Sequence, residues 1–66
     1  MTLRLNGNPI ALQEGATVAE LLSSRGIPSD GVAVAVNRTI VPKRTHGTHR
    51  LEAGDDVEVV RAVGGG

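Results

Sequence analysis

One stretch of this 66-residue chain, from Gly15 to Pro28, repeats its apolar residues at helical spacing, and on either side of it the repeat is two. Within it Val18, Leu21 and Leu22 share one face at spacings of three and four. Thr17 and Glu20 form a T-x-x-E capping box, in which each residue can satisfy an unpaired N–H at the start of a helix. Gly26 is placed to end the helix in a left-handed cap, and Pro28 prevents its resumption. The helix so predicted has about nine residues, too few to be stable alone. It must pack on something, and the rest of the chain offers only strands.

Before the helix, Thr2 to Gly7 alternates with Leu3 and Leu5 on one face, and Asn8 to Gln13 places Ile10 and Leu12 together. Asn6-Gly7 between them is a hairpin signal, since both residues tolerate positive φ. Pro9 lacks an N–H and suits the start of a strand near an edge. After the helix, Gly31 to Asn37 (GVAVAVN) turns Val32, Val34 and Val36 one way and Ala33 and Ala35 the other. Both faces are apolar, which predicts a central strand. Asn37-Arg38 marks a turn into the short strand TIVP, which Pro42 stops or places on an edge. Lys43 to Leu51 reads as an irregular polar loop, and Glu52 to Asp56 as a turn with ordinary Gly-Asp-Asp chemistry. Val57 to Val63 reads as the last strand, with Val57 and Val59 inward and Glu58, Val60 and Ala62 outward.

The predicted order is two strands, a helix and three strands. A last strand beside the first would close a mixed sheet of about five strands over one helix, an α+β fold of the β-grasp type. Residues 1–62 form the expected domain, and 63–66 a flexible glycine tail.

Composition limits what such a domain can be. A chain this short buries only about 60% of its unfolded surface. Cysteine, Phe, Tyr and Trp are all absent, so there is no disulfide or cysteine-based zinc cluster, and the core must be aliphatic. Seven basic and seven acidic residues cancel. Scattered basic residues without stacking aromatics argue against nucleic acid. No apolar run approaches the roughly 20 residues of a membrane span, and no signal-peptide core opens the chain, so a cytoplasmic location is expected. His46 and His49 lie three apart without a third ligand nearby, and a solvated loop is the expectation for both rather than a metal site. Lys43, Arg44, Arg50 and Arg61 are surface charges that could form a basic rim. No Ser/His/Asp grouping or phosphate loop is visible, so the chain is not expected to be an enzyme.

The remaining feature is the end, Arg61-Ala62-Val63-Gly64-Gly65-Gly66. Three glycines pack nothing and lose the most freedom when fixed. A frayed end is one reading. The other makes the terminus the working part: side-chain-free residues can thread a narrow catalytic channel in extended form.

At this point the residues resemble a known family. GATVAELL after the hairpin, VAVAVNRTIVPK in the middle, LEAGDDVEVVRAV and a terminal Gly-Gly are similar, over essentially the whole chain, to the sulfur-carrier proteins of thiamine (thiazole) biosynthesis, which are small and ubiquitin-like. Gly64 is a glycine beyond the family's usual two, and His46 stands where many members have an aromatic residue. The resemblance implies that a partner adenylating enzyme, E1-like, uses ATP to convert the Gly66 carboxylate to an acyl-adenylate. A persulfide-derived sulfur then displaces AMP, leaving a thiocarboxylate whose sulfur passes to a thiazole synthase. Gly66 would be the modified residue and Gly65 its required neighbour. ATP would be consumed by the partner, with no cofactor bound to the carrier itself. The small subunit of molybdopterin synthase or another carrier of the same chemistry is an alternative, as is a ubiquitin-like binding module with an inert tail.

The chemistry is coherent on these residues. A carboxylate is a poor acylating agent until adenylation supplies a leaving group, and a cysteine-free chain has no side chain on which to hold a persulfide. Ordering four tail residues costs on the order of 4–8 kcal/mol, while burying Val63 returns about 1.5–3 kcal/mol. The folded body must therefore supply docking surface. Val60, Arg61, Ala62 and Val63 are the candidates, Val60 foremost, because an outward valine next to a functional tail is a candidate contact and ubiquitin has an exposed docking valine at the same distance from its end.

Overall fold

The computed structural model describes residues 1–61. Asn6 and Gly7, at φ 51° and 84°, fold strands β1 (Thr2–Leu5) and β2 (Asn8–Ala11) into the opening antiparallel hairpin, in the register Leu3↔Ile10 and Arg4↔Pro9. Helix α1 (Val18–Ser24) follows, then β3 (Val32–Val36), β4 (Thr39–Val41), a 3-10 turn over Lys43–Thr45, and β5 (Asp56–Arg61). The sheet order is β2-β1-β5-β3-β4. Strand β5 runs parallel to β1 and antiparallel to β3, so the first and last strands meet in the middle of a mixed five-stranded sheet. This is the expected β-grasp arrangement.

The helix stops and starts where its sequence dictates. The Thr17 hydroxyl accepts from the Glu20 N–H at 3.2 Å, and the Glu20 carboxylate accepts from the Thr17 N–H at 3.0 Å. At the other end Gly26 takes φ 67°. Its N–H donates to the Ser23 carbonyl, and the Ile27 N–H donates to the Leu22 carbonyl at 2.9 Å. Those two bonds are a Schellman cap, and they hold the helix to seven residues, two fewer than the spacing predicted.

Val18, Leu21 and Leu22 project from α1 onto Leu3, Val34, Val36 and Val57 of the sheet, with Val41 and Leu51 closing the cluster. Each fully buried Val or Leu contributes about 1.5–3 kcal/mol by leaving water, which is how a chain without aromatics holds a core. Among the described residues the opposite face of the sheet has no such cover. Ala33 is exposed and Ala35 half-buried, so the apolar character of both faces of β3 does not mean that both are buried. β3 is an inner strand between β5 and β4, and the middle position belongs to β5.

The segment after the 3-10 turn corrects the expectation of a polar, solvated loop. Its backbone docks on the start of α1. The Val18 N–H donates to the His49 carbonyl at 3.0 Å and the Ala19 N–H to the His46 carbonyl at 2.9 Å. Together with the Thr17 hydroxyl on Glu20, they give partners to the first three N–H groups of the helix, which an isolated helix leaves unsatisfied. Arg50 bridges to Thr17, and the Leu51 N–H donates to the Ala16 carbonyl at 2.8 Å. No helix among the described residues is long and apolar enough to cross a membrane.

Candidate functional site

β5 is built to present its far end. Two asparagines in left-handed turns grip it with their side chains. Asn37, in the β3–β4 turn at φ 50°, accepts through Oδ1 from the Asp56 N–H at 3.0 Å, and its Nδ2 donates to the Asp55 carboxylate at 3.0 Å. Asn6, in the opening turn, accepts through Oδ1 from the Val59 N–H at 2.9 Å, and its Nδ2 donates to the Val59 carbonyl at 3.3 Å. β5 pairs with β3 from Val36↔Val57 to Val32↔Arg61, two residues past the second grip. The strand is thus fixed on both sides shortly before the glycine run.

Alternation along β5 behaves as the sequence indicates. Val57 is buried and Val59 half-buried, while Glu58 and Val60 face away from the helix. Val60 is 61% exposed and pairs with Ala33. Ala35 pairs with Glu58 on one side and with Ile40 on the other, and Ile40 is 66% exposed. Paired residues share a sheet face, so among the described residues Val60, Ala33, Ala35 and Ile40 form one uncovered apolar area, running from Ile40, level with Glu58, to Val60 nearest the tail. Glu58 borders it, and Asp56 and Arg4, a Cα pair of the parallel ladder, lie further from the tail on that face.

Arg61 is exposed but has the parity of Val57 and Val59, so it begins on the opposite face from Val60. Ala62, Val63, Gly64, Gly65 and Gly66, with the domain boundary at 62, lie outside the described residues. Ile40 was missed in the sequence reading. Its signal is its place before inward-facing Val41, which on a period of two sends Ile40 outward.

Among the described residues no cluster of three or more His, Cys, Asp or Glu could hold a metal ion. His46 is 4% exposed, against the expectation of a solvated side chain. Its Nε2 lies 3.1 Å from the Val41 carbonyl. A carbonyl can only accept, so Nε2 carries the proton, and the buried Nδ1 has no hydrogen-bond partner among the described residues. The ring fills core space beneath β4. Lys43 is paired with Asp30. The hydrogen bond and the charge of the lysine hold the Asp30 carboxyl below its ordinary 3.8, in an ion pair exposed at the surface.

Comparison with known proteins agrees with this architecture. The ThiS family model matches residues 3–66.

The chain belongs to the ThiS family.

It is 30% identical to the sulfur carrier protein ThiS of Escherichia coli K12, across the whole length of both chains. The crystal structure of the thiamine biosynthesis protein ThiS from Geobacter metallireducens superposes with a TM-score of 0.87 at 30% identity, with full coverage of both chains. A thiazole synthase of Magnetococcus marinus is 38% identical over all 66 residues, and there the ThiS-family chain spans only 20% of the relative's length. The same share holds for a thiazole synthase of Paramagnetospirillum magneticum.

Proposed function

We propose that this chain is a sulfur carrier for thiazole formation in thiamine biosynthesis, with the carboxylate of Gly66 as the group that carries sulfur. A partner adenylating enzyme transfers AMP from ATP to that carboxylate, releasing pyrophosphate. The outer sulfur of a partner's persulfide attacks the acyl-adenylate and displaces AMP, leaving an acyl disulfide. A partner thiol then attacks the donor-side sulfur, is oxidised to a disulfide and releases the thiocarboxylate, which hands its sulfur to a thiazole synthase. The chain acts as a co-substrate and contributes no catalytic side chain of its own.

The observation that carries this reading is the family match running through the glycine run to residue 66, on a body whose last described strand ends five residues earlier. The absence of cysteine restricts where sulfur can be held. Thiazole synthases that contain a segment similar to this chain fit a direct hand-over from carrier to synthase.

The docking surface is the uncovered apolar area around Val60 and Ile40, with Arg61, Ala62 and Val63 leading from it into the partner's channel. Apolar burial there offsets the cost of ordering the tail.

Complementation tests the reading. A chain extended beyond Gly66 by a non-removable peptide should fail to restore growth of a strain that lacks its own carrier and needs the vitamin, while the chain ending at Gly66 restores it. Growth with the blocked version would refute the proposed role of the carboxylate.

A further inference from the structure

We propose that Asn6 is a positioning residue for carrier activation, acting through Val59 to set how the last strand and its tail leave the sheet. This rests on the carrier reading above.

The parallel ladder between β1 and β5 is short. Its backbone pairs are Arg4↔Asp56 and Leu5↔Val57, and at Asn6 the chain turns back into β2. The backbone N–H of Asn6 still donates to the Val57 carbonyl at 2.8 Å. Its side chain then does what the next residue of β1 would have done. Oδ1 accepts from the Val59 N–H at 2.9 Å and Nδ2 donates to the Val59 carbonyl at 3.3 Å. A carboxamide places one acceptor and one donor on a single planar group, so it can stand in for a peptide unit and satisfy both edge groups of one strand residue. Aspartate supplies only the acceptor.

The consequence lies one residue further along. Val60 follows the clamped residue directly and faces Ala33 across the ladder, in the apolar area assigned to docking. With the Asn6 grip in place β5 is held on both sides as far as Val59. Without it, two-sided pairing stops at Val57, and Val60 and the tail exit depend on β3 alone. A partner would then have to order that segment on binding. A cost of that kind raises KM and leaves the later chemical step unchanged.

Asn6 sits at positive φ, so the informative replacement is Asn6→Gly, which keeps the turn accessible while deleting the grip. Asn6→Asp keeps the acceptor and deletes the donor. Two readouts are taken on the full chain: amide hydrogen exchange, and the steady-state kinetics of adenylation by the partner enzyme with ATP. For Asn6→Gly the Val59 amide is expected to exchange at least about tenfold faster, with the core amide of Leu22 unchanged. KM for the carrier is expected to rise about fivefold with kcat within about twofold. Asn6→Asp is expected to fall between wild type and Asn6→Gly in KM.

Unchanged Val59 exchange would overturn the inference. So would faster Val59 exchange with unaltered KM, or acceleration of Leu22 and Val59 alike, which would make Asn6 a contributor to global stability only. If the wild-type chain itself is not adenylated, the carrier reading fails. If the wild type is adenylated and Asn6→Gly matches it, only the role of Asn6 fails.

Discussion

Val60 stands directly across the β3–β5 ladder from Ala33, on the face of the sheet that the helix leaves uncovered. A valine 61% exposed there costs the fold little to replace and offers a partner a contact. Val60→Asp is therefore expected to raise KM for adenylation about tenfold or more while unfolding free energy stays within about 1 kcal/mol of wild type. Ile40→Asp should behave in the same way. Normal adenylation kinetics of a folded Val60→Asp variant would remove this face from the docking surface.

The start of α1 makes a sharper demand on Thr17 than on its neighbours. The N–H groups of Val18 and Ala19 have carbonyl partners from His49 and His46, so only the Glu20 N–H depends on the threonine hydroxyl. Thr17→Ala should cost about 1 kcal/mol in urea unfolding. A loss several times larger would mean that the docked segment over 46–51 depends on the capping box.

His46 and His49 look alike in sequence and differ in the fold. The His46 ring is buried and bonded to the Val41 carbonyl. The contribution of His49 to the helix start is its backbone carbonyl, which any residue supplies. Truncation to alanine should cost about 2 kcal/mol or more at His46, from lost packing and the lost bond to the Val41 carbonyl. At His49 it should cost no more than about 0.5 kcal/mol. Equal losses at the two positions, measured by denaturant unfolding, would contradict the assignment.

Much of this architecture is legible in the sequence because its signals are local. The T-x-x-E box, Gly26 and the Asn6-Gly7 turn each act within a few residues, and the period of two in Gly31 to Asn37 separates the valine face of β3 from its alanine face. What stayed hidden depends on contacts distant in the chain. The burial of His46 follows from Lys43 to Leu51 folding back onto α1, and a polar sequence does not announce that its backbone carbonyls will cap a helix some 30 residues earlier. The exposure of Ala33 could not be read from an apolar pattern alone, since small apolar residues occur on open and covered faces alike. The grip of Asn6 on Val59 joins residues 53 positions apart and needs the parallel pairing of the first and last strands before it can be seen.

The chemistry proposed for Gly66 is tested most directly by locating the sulfur. The purified chain is incubated with the adenylating enzyme, ATP, a persulfide donor and a thiol reductant, then cleaved after Arg61, and the peptide Ala62–Gly66 is weighed. Replacement of one carboxylate oxygen by sulfur adds about 16 Da to that peptide and to no other. An unmodified 62–66 peptide after complete ATP turnover would contradict the account.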